Sequence, residues 1–351
     1  MSLSTAATGS DLAPADLAQS DADAAYAEAL RMLSEGSVHR HFEPYVDIAW
    51  DSPDFAVPAD DKRWILPPEA DPLGRHPWYL ALPDEQKIAI GMWRQANVAK
   101  VGLQFETILI GGVMQHVFKL ANGDPEFRYC THEVIEECNH TLMFQEMVNR
   151  IGIDVPGMGP VMRRVSALLP LAGAVLPELF FVGVLAGEEP IDHIQKAILR
   201  SGADIHPIMQ SVMAIHVAEE ARHISFAHKY LRHRVPQMSR VGRFGLSLAF
   251  PVTMRVLCDV IVIPPASFWR EHDIPKSVKK DLFWGTPESR RILSDYFGDV
   301  RMLADDIGLM NPASRAIWKL LGIDGKSSRY RSEPSRVPHA AAAAPAAQSA
   351  A

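Results

Sequence analysis

The sequence predicts an all-α protein built as a bundle of long helices. Residues 84–122 contain no proline and repeat apolar residues every three or four positions, as long helices do. Two further segments, Pro125–Ile151 and Pro207–Arg234, begin at a proline and end just before a glycine or a proline. No stretch alternates apolar and polar residues like a strand, and no internal repeat is visible. We therefore expect helices packed around one buried core.

The other segments are assigned in chain order. Residues 1–18 and 326–351 are rich in alanine and small polar residues and predict disordered tails. A first amphipathic helix is expected at Asp21–Glu35. Residues 36–83 are dense in proline and tryptophan, which forbids a long helix and predicts an extended arm laid over the bundle. Residues 19–325 are expected to form a single domain.

Two apolar stretches resemble membrane spans, Val165–Ala186 and Gly245–Pro265. Both contain prolines and charged residues, whereas a span needs about 20 predominantly apolar residues with almost no charges. We therefore predict that they are buried helices and that the protein does not engage a membrane. Within residues 161–200 we expect the helical run to break near Gly187 or Pro190, and helices continue to about residue 321.

Composition narrows the class of protein. Hydrophobic residues make up 48% of the 351 residues and charged residues 22%, as in an ordinary globular protein. The formal net charge of −7 and the scattered basic residues argue against nucleic-acid binding. Three irregularly spaced cysteines provide no disulfide framework, and the N terminus lacks the basic and apolar regions of a secretory signal. These features predict a cytoplasmic protein.

One motif combines histidines with a carboxylate on a single helical face. Residues 216–223 read His-Val-Ala-Glu-Glu-Ala-Arg-His. On an α-helix, His216, Glu220 and His223 lie at about 0°, 40° and −20° around the axis. A second pair, Glu137 and His140, has the same Glu-x-x-His spacing. Two such pairs on different helices predict a metal centre.

Bundles that bind two iron or two manganese ions add one glutamate from each of two further helices. Glu106 lies in an apolar stretch before the first pair, and Glu188 and Glu189 follow an apolar stretch before the second. The sequence interval from Glu106 to Glu137 equals that from Glu189 to Glu220. This equality favours Glu189 over Glu188 as the fourth glutamate.

The register of the ligands has alternatives. Glu133 and Glu136 share a helical face with His140, and Glu219 lies four residues before His223. Cys138 should face away from the metals. Oxygen and imidazole ligands suit non-haem iron or manganese better than a structural zinc site, and about four negative charges would balance two ferrous ions.

With these motifs the chain resembles the AurF-like di-iron N-oxygenases, the family of p-aminobenzoate N-oxygenase. The resemblance extends over roughly residues 40–265 and includes Trp93-Arg-Gln-Ala-Asn97 in addition to the ligand motifs. Its specific mark is the additional histidine, His216, since ordinary ferritin-like di-iron enzymes use two histidines. The resemblance implies a ferritin-like bundle with additional helices, two iron ions as cofactors and O₂ as co-substrate.

The resemblance also implies roles for the ligands. Glu137 and Glu220 would bridge the two irons, and the remaining ligands would divide into one set of Glu106 and His140 and a second set of Glu189, His216 and His223. The family oxygenates an amine stepwise through a peroxo-bridged cluster and takes electrons from an external reductase or ferredoxin. The chain contains no Gly-x-Gly-x-x-Gly nucleotide-binding motif, in agreement with an external donor. We further expect a homodimer.

One departure from the family concerns substrate binding. The arylamine oxygenases place an arginine before the first ligand to hold the substrate carboxylate, but residues 98–105 contain none. Lys100 could replace it as a point charge but not as a bidentate fork. An apolar substrate is the alternative, and with it C–H hydroxylation or desaturation. A non-catalytic iron-binding or storage protein is a third interpretation.

Overall fold

The computed structural model describes residues 14–68 and 71–333. Its first eight helices are α1 (Pro14–His39), α2 (Pro44–Asp47), α3 (Pro77–Leu80), α4 (Asp84–Val117), α5 (Pro125–Ile151), α6 (Pro160–Val165), α7 (Leu171–Val175) and α8 (Pro177–Arg200). The next seven are α9 (Pro207–Arg234), α10 (Arg240–Val262), α11 (Ala266–Glu271), α12 (Lys276–Leu282), α13 (Pro287–Asp295), α14 (Gly298–Asp306) and α15 (Pro312–Leu320).

The predicted all-α class is confirmed, since the described residues form helices and turns with no strand. Two helical hairpins, α4–α5 and α8–α9, form the centre of a ferritin-like bundle. Helix α1 packs on α5 and α9, and α10 packs on α8. The predicted tails fall largely on residues 1–13 and 334–351, which lie outside the described part. Residues 14–18 belong to α1, and the Lys326 carbonyl accepts a hydrogen bond from Arg301 of α14.

Apolar side chains fill the bundle on both sides of a polar band. One cluster contains the second half of α4, the start of α5, the first half of α8 and the end of α9. The other contains the first half of α4, the end of α5 and the first half of α9. The buried glutamates and histidines of these helices lie between the two clusters. Water is thus excluded from both ends of the polar band.

The helix boundaries agree with the prediction at α5 and α9, which span the predicted residues. Helix α4 ends earlier, at Val117, and turns connect it to α5. The predicted break near Gly187 or Pro190 is wrong, because α8 continues through both residues. Gly187 has a packing role instead: a Cβ there would lie 1.9 Å from Phe105 Cζ. The absent side chain makes room for the aromatic ring of α4.

The predicted burial of the two apolar stretches is only partly correct. Residues 180–186 are buried except for the half-buried Gly183, but Leu168, Leu171 and Val175 are more than half exposed. One described segment, Arg240–Glu271, is long and apolar enough to cross a membrane by length and composition, and 39% of its apolar window is buried. Helix α10 therefore exposes part of an apolar face.

Residues 40–83 contain short helical turns that pack across the bundle. Trp64 is buried and stacks on His206 with ring centroids 4.6 Å apart. The Tyr79 hydroxyl accepts a hydrogen bond from the Leu66 amide and donates one to the Lys87 carbonyl. These contacts join the segment to α4 and α9.

The segment approaches α4 most closely at Gly91, where a Cβ would lie 1.8 Å from the Trp64 carbonyl oxygen. We expect Gly91→Ala to displace residues 62–66 and to lower the free energy of unfolding by about 1–3 kcal/mol. The matched control is Gly245→Ala, since Gly245 has open space at its Cβ position in α10. There alanine should be neutral or stabilising by up to about 1 kcal/mol. Urea unfolding measures the free energy of unfolding of both variants. Equal values for Gly91→Ala and Gly245→Ala would contradict the prediction.

Candidate metal centre

The polar band brings together carboxylates and histidines from all four central helices. Helix α4 contributes Glu106, α5 contributes Glu137, and α8 contributes Glu188, and all three are at most 2% exposed. Helix α9 contributes the full motif predicted from the sequence, His216, Glu220 and His223, and α5 also contributes His140; each of these is buried. Six of the seven predicted ligands therefore lie at one place.

The distances between these groups fit coordination of metal ions. His223 Nδ1 lies 2.9 Å from Glu137 Oε1 and 3.1 Å from Glu220 Oε1. His140 Nδ1 lies 3.1 Å from Glu137 Oε2 and 3.4 Å from Glu220 Oε1. Glu137 and Glu220 are thus shared neighbours of both histidines. Their central position is the one expected of bridging carboxylates.

His216 approaches the group from the side of Glu106. Its Nε2 lies 3.3 Å from Glu106 Oε1 and 3.6 Å from Glu220 Oε1. Donor atoms of Glu106, His140, His216 and Glu220 all lie within 4.8 Å of one another. This neighbourhood differs from the expectation that His216 shares an iron with His223, because His216 is grouped with Glu106.

Unsatisfied carboxylate oxygens show that the residues fit a metal. One buried oxygen in each of Glu106, Glu188 and Glu220 has no hydrogen-bond partner. Leaving a buried charged oxygen unpaired is costly, and such groups are normally paired or bind metal ions. Three such oxygens in one place, with Glu137 and three imidazoles, match the ligand set of a dinuclear carboxylate site.

Outer carboxylates orient the two histidines of the Glu-x-x-His pairs. His140 Nε2 donates to Glu219 Oε2 at 2.9 Å, and His223 Nε2 donates to Glu136 Oε2 at 2.7 Å. Each histidine of one helix is thus held by a glutamate of the other. The Arg222 guanidinium donates to Glu136 at 2.8 Å and lies 3.6 Å from Glu219. These bonds leave both Nδ1 atoms directed at the centre.

The third histidine is oriented by an amide instead. His216 Nδ1 donates to Gln195 Oε1 at 2.9 Å, which directs Nε2 at Glu106. Sequence reasoning missed Gln195, because its position on α8 has no recognisable motif. It noted Glu136 and Glu219 only as alternative ligands. Each lies four residues before a histidine of its own helix, and this spacing was the available indication that it lies near the site.

Glu188 occupies the place for which the sequence interval favoured Glu189. Donor atoms of Glu188, Glu106 and Glu137 lie within 4.8 Å of one another. The Glu189 side chain instead accepts a hydrogen bond from His228 Nε2 at 2.7 Å, in a separate buried cluster with Asp299. Neighbouring residues on a helix point about 100° apart, so only one of the two can face the centre.

The electrostatics of the centre are those of crowded, dehydrated carboxylates. Burial, together with Glu137 and Glu188, raises the pKa of Glu106 well above its usual value. Burial and Glu220 do the same to the pKa of Glu188. Burial also disfavours ionisation of Glu137, yet His223, Glu106 and His140 hold its pKa well below the usual value. The Glu137 carboxylate is therefore charged, whereas Glu106 and Glu188 favour the protonated form.

The pKa values of His140 and His216 are also shifted in opposite directions. Burial opposes a charge on His140, but Glu137 and Glu219 raise its pKa to about 10. Burial lowers the pKa of His216 to about 4, so this imidazole is neutral at pH 7 and ready to act as a ligand.

The remaining residues considered from the sequence lie elsewhere. Cys138 is exposed, as predicted. Glu133 is buried one turn before Glu137, and burial raises its pKa to about 8. Lys100 donates to Gln145 at 2.9 Å, towards α5. The small cavity that reaches the metal residues, about 40 Å³ and lined by Glu106, Glu188 and His216, is not lined by Lys100.

The family model of p-aminobenzoate N-oxygenase AurF matches residues 23–308 of this chain. The chain belongs to the AurF family. The match includes α4, α5, α8 and α9 and all the candidate ligands described above. The AurF family is one of di-iron oxygenases, and the buried carboxylates and histidines fit its metal site.

Mycobacterial proteins are similar over nearly the whole chain. Uncharacterized protein Rv0885 of Mycobacterium tuberculosis strain H37Rv is 64% identical over 322 residues, which cover 92% of this chain and 94% of that protein. Uncharacterized protein Mb0909 of Mycobacterium bovis has the same identity and coverage. The similarity therefore extends well beyond the ligand motifs.

The two neighbouring glutamates of α8 allow a matched test of the ligand set. We expect Glu188→Gln to weaken iron binding by at least about tenfold, because even residues that only orient a ligand change metal affinity by about 10–100-fold. Glu189→Gln should retain about two irons per chain, since the amide oxygen can still accept from His228. Elemental analysis after anaerobic loading measures both. The reverse result would return Glu189 to the ligand set.

Metal binding should depend on pH, because the ligands must lose protons. His140, with a pKa of about 10, is protonated at pH 7, and the raised pKa values of Glu106 and Glu188 favour bound protons. A bound metal displaces these protons, so affinity should rise with pH, by at least about tenfold per unit between pH 6 and 8. Anaerobic Fe²⁺ titrations at three pH values measure this. A pH-independent affinity would contradict the assignment of His140.

Proposed function

We propose that the chain is an O₂-dependent di-iron oxygenase that oxygenates an amine. The observation that supports this most directly is the set of four buried carboxylates, three of them with an unpaired oxygen, interleaved with three oriented histidines. Membership of the AurF family supports the reaction class. Two bound irons would supply O₂ activation and the oxidising equivalents.

The chain's own residues would prepare the site. Glu106, Glu137, Glu188 and Glu220 would hold the metals together with His140, His216 and His223. Glu136 and Glu219 keep protons on the Nε2 atoms of His223 and His140, so that each Nδ1 is free for the metal. The apolar clusters on both sides keep water away, which strengthens the electrostatic interactions within the site.

A cavity beside the metal residues favours catalysis over iron storage. Apart from Glu106, Glu188, His216 and Gln195, the small cavity is lined by apolar side chains such as Phe105 and Phe144. A second cavity, of about 70 Å³, shares Ile191 and Gln195 with it. A concave apolar space that ends at a few polar groups is typical of small-molecule sites.

The apolar lining also favours a second candidate, C–H hydroxylation or desaturation of an apolar substrate. No basic side chain lines the small cavity, which Val98 and Val101 face from α4. Arg94 lines the second cavity, but its guanidinium is paired with Asp71 at 2.8 Å. Both candidate reactions would use the same metal centre. They differ in the substrate atom that reacts there, a nitrogen or a carbon. An external electron donor, a homodimer and a cytoplasmic location remain our proposals from the sequence.

The direct test is single-turnover chemistry. Iron-loaded protein is reduced, mixed with a panel of arylamines and alkyl substrates, and exposed to ¹⁸O₂, and products are analysed by mass spectrometry. We expect a labelled hydroxylamine, because one O₂ and the two electrons of the reduced irons insert one oxygen atom into the N–H bond and release the other as water. Labelled alcohols would support the second candidate, and iron retention without any oxygenated product would indicate storage.

Two glutamate variants provide the control for that experiment. Glu220→Ala removes a central carboxylate, so we expect loss of iron and at least about a hundredfold loss of product. Glu288→Ala changes an exposed glutamate of α13 and should leave both unchanged. Full iron content and activity in Glu220→Ala would refute the proposed function.

A further inference from the structure

A separate apolar cavity lies between α4, α7, α8 and α10. Its volume is about 340 Å³, and its walls include Phe180, Val184, Leu257 and Val260. Among all its lining residues only Thr253 has a polar side chain, and none is charged. This volume is at the lower end of the range for small-molecule sites.

This apolar cavity adjoins the metal centre through two side chains. Phe105 and Ile261 line both the apolar cavity and the small cavity that contains Glu106 and Glu188. Phe105 directly precedes the ligand Glu106 on α4, and its ring lies against Gly187 of α8. A molecule in the apolar cavity is thus separated from the metal residues by the Phe105 ring and Ile261.

The outer end of the apolar cavity reaches solvent along α10. Val252 and Val256 line it and are 43% and 50% exposed. On the other wall, Leu169 lines the cavity and its neighbour Leu168 is 65% exposed. The entrance is therefore apolar as well. Exposed apolar surface of this kind often marks a site of ligand entry.

The lining determines which chemistry can enter. A carboxylate or an ammonium group would lose its hydration with no partner in this cavity, at a cost of several kcal/mol. An alkyl group instead gains about 0.8 kcal/mol for each buried CH₂. The cavity selects for an uncharged, apolar body. An arylamine meets that condition when its ring carries an alkyl chain instead of a carboxylate.

We propose that this cavity binds the alkyl-bearing body of an uncharged arylamine, with the amino group at the wall formed by Phe105 and Ile261 and the Phe105 ring turning aside to admit it to the metal centre. The assignment rests on the proposed function, because the cavity is interpreted as a substrate site from its contact with the metal residues. It distinguishes the substrate from p-aminobenzoate, whose carboxylate has no partner here.

Binding to the iron-loaded protein without reductant tests the proposal without turnover. Two probes share the aniline ring: 4-hexylaniline has an alkyl chain where p-aminobenzoate has a carboxylate. We expect 4-hexylaniline to bind at least about tenfold more tightly, measured by calorimetry. Equal or tighter binding of p-aminobenzoate would overturn the proposal.

Two glycine variants locate the binding site. At Gly183 a Cβ would lie 3.6 Å from Leu257 Cδ1, an ordinary contact, and Gly183 lines the cavity, so the side chain of Gly183→Leu would occupy part of its space. We expect it to weaken 4-hexylaniline binding at least about tenfold. Gly245→Leu is the matched control, since its side chain enters open space on α10; it should change binding less than twofold. Equal affinities of the two variants would place the probe elsewhere and overturn the proposal.

Two further outcomes keep the tests separable. If circular dichroism shows that Gly183→Leu does not fold, Val256→Trp narrows the partly exposed entrance and should weaken binding in the same way; unchanged binding would overturn the proposal. Cavity-dependent binding without any oxygenated product would contradict the proposed function but not the site. Labelled product from p-aminobenzoate, unaffected by Gly183→Leu, would support the function and overturn the cavity assignment.

Discussion

The structure depends on burying four carboxylates at the centre of a helical bundle. Glu106, Glu188 and Glu220 each have an oxygen without a hydrogen-bond partner, in surroundings where an unpaired charge is very costly. The burial is tolerable because seven donor groups from four helices can share metal ions, and in the metal-free protein because His140 and His223 are charged beside the carboxylates. Removing one carboxylate changes this balance for all the others. The metal centre and the fold of the central helices are therefore coupled.

Aromatic rings packed on glycines shape the space around this centre. Phe105 lies against Gly187, and Phe180 lies against Gly112. Each glycine allows two helices to approach while an aromatic ring fills the gap between them. The same rings line the apolar cavity. The packing that holds α4 and α8 together thus also separates the cavity from the metal residues.

The sequence was sufficient for most of the helices and for the type of site. Proline and glycine punctuation predicted α5 and α9 at their observed ends, because these residues limit helices through backbone sterics alone. The sequence was insufficient where the same residue type can either end a helix or serve the packing between helices. Gly187 and Pro190 were interpreted as a helix break, although α8 continues through them, since Gly187 is needed for packing against Phe105.

The choice between Glu188 and Glu189 shows the same limit. Equal sequence intervals favoured Glu189, but the turn between α8 and α9 is one residue shorter than that between α4 and α5. The relevant comparison is the distance of each ligand from the turn of its own hairpin. Glu137 lies one position further from its turn than Glu106 does, and Glu220 lies one position further than Glu188 does. With Glu188, the two glutamates of the α8–α9 hairpin differ by one position, as do those of the α4–α5 hairpin. With Glu189 they would differ by two positions.

The sequence by itself determined the helices, the ligand types and the two Glu-x-x-His faces, because helical periodicity relates residues within one helix. Only the tertiary structure decided how the helices are rotated against each other. That rotation places Glu188 in the centre, pairs His140 with Glu219 and His223 with Glu136, and brings Gln195 to His216. It also leaves the apolar cavity beside Phe105. These features depend on side-chain packing between helices, which spacing along one helix does not encode.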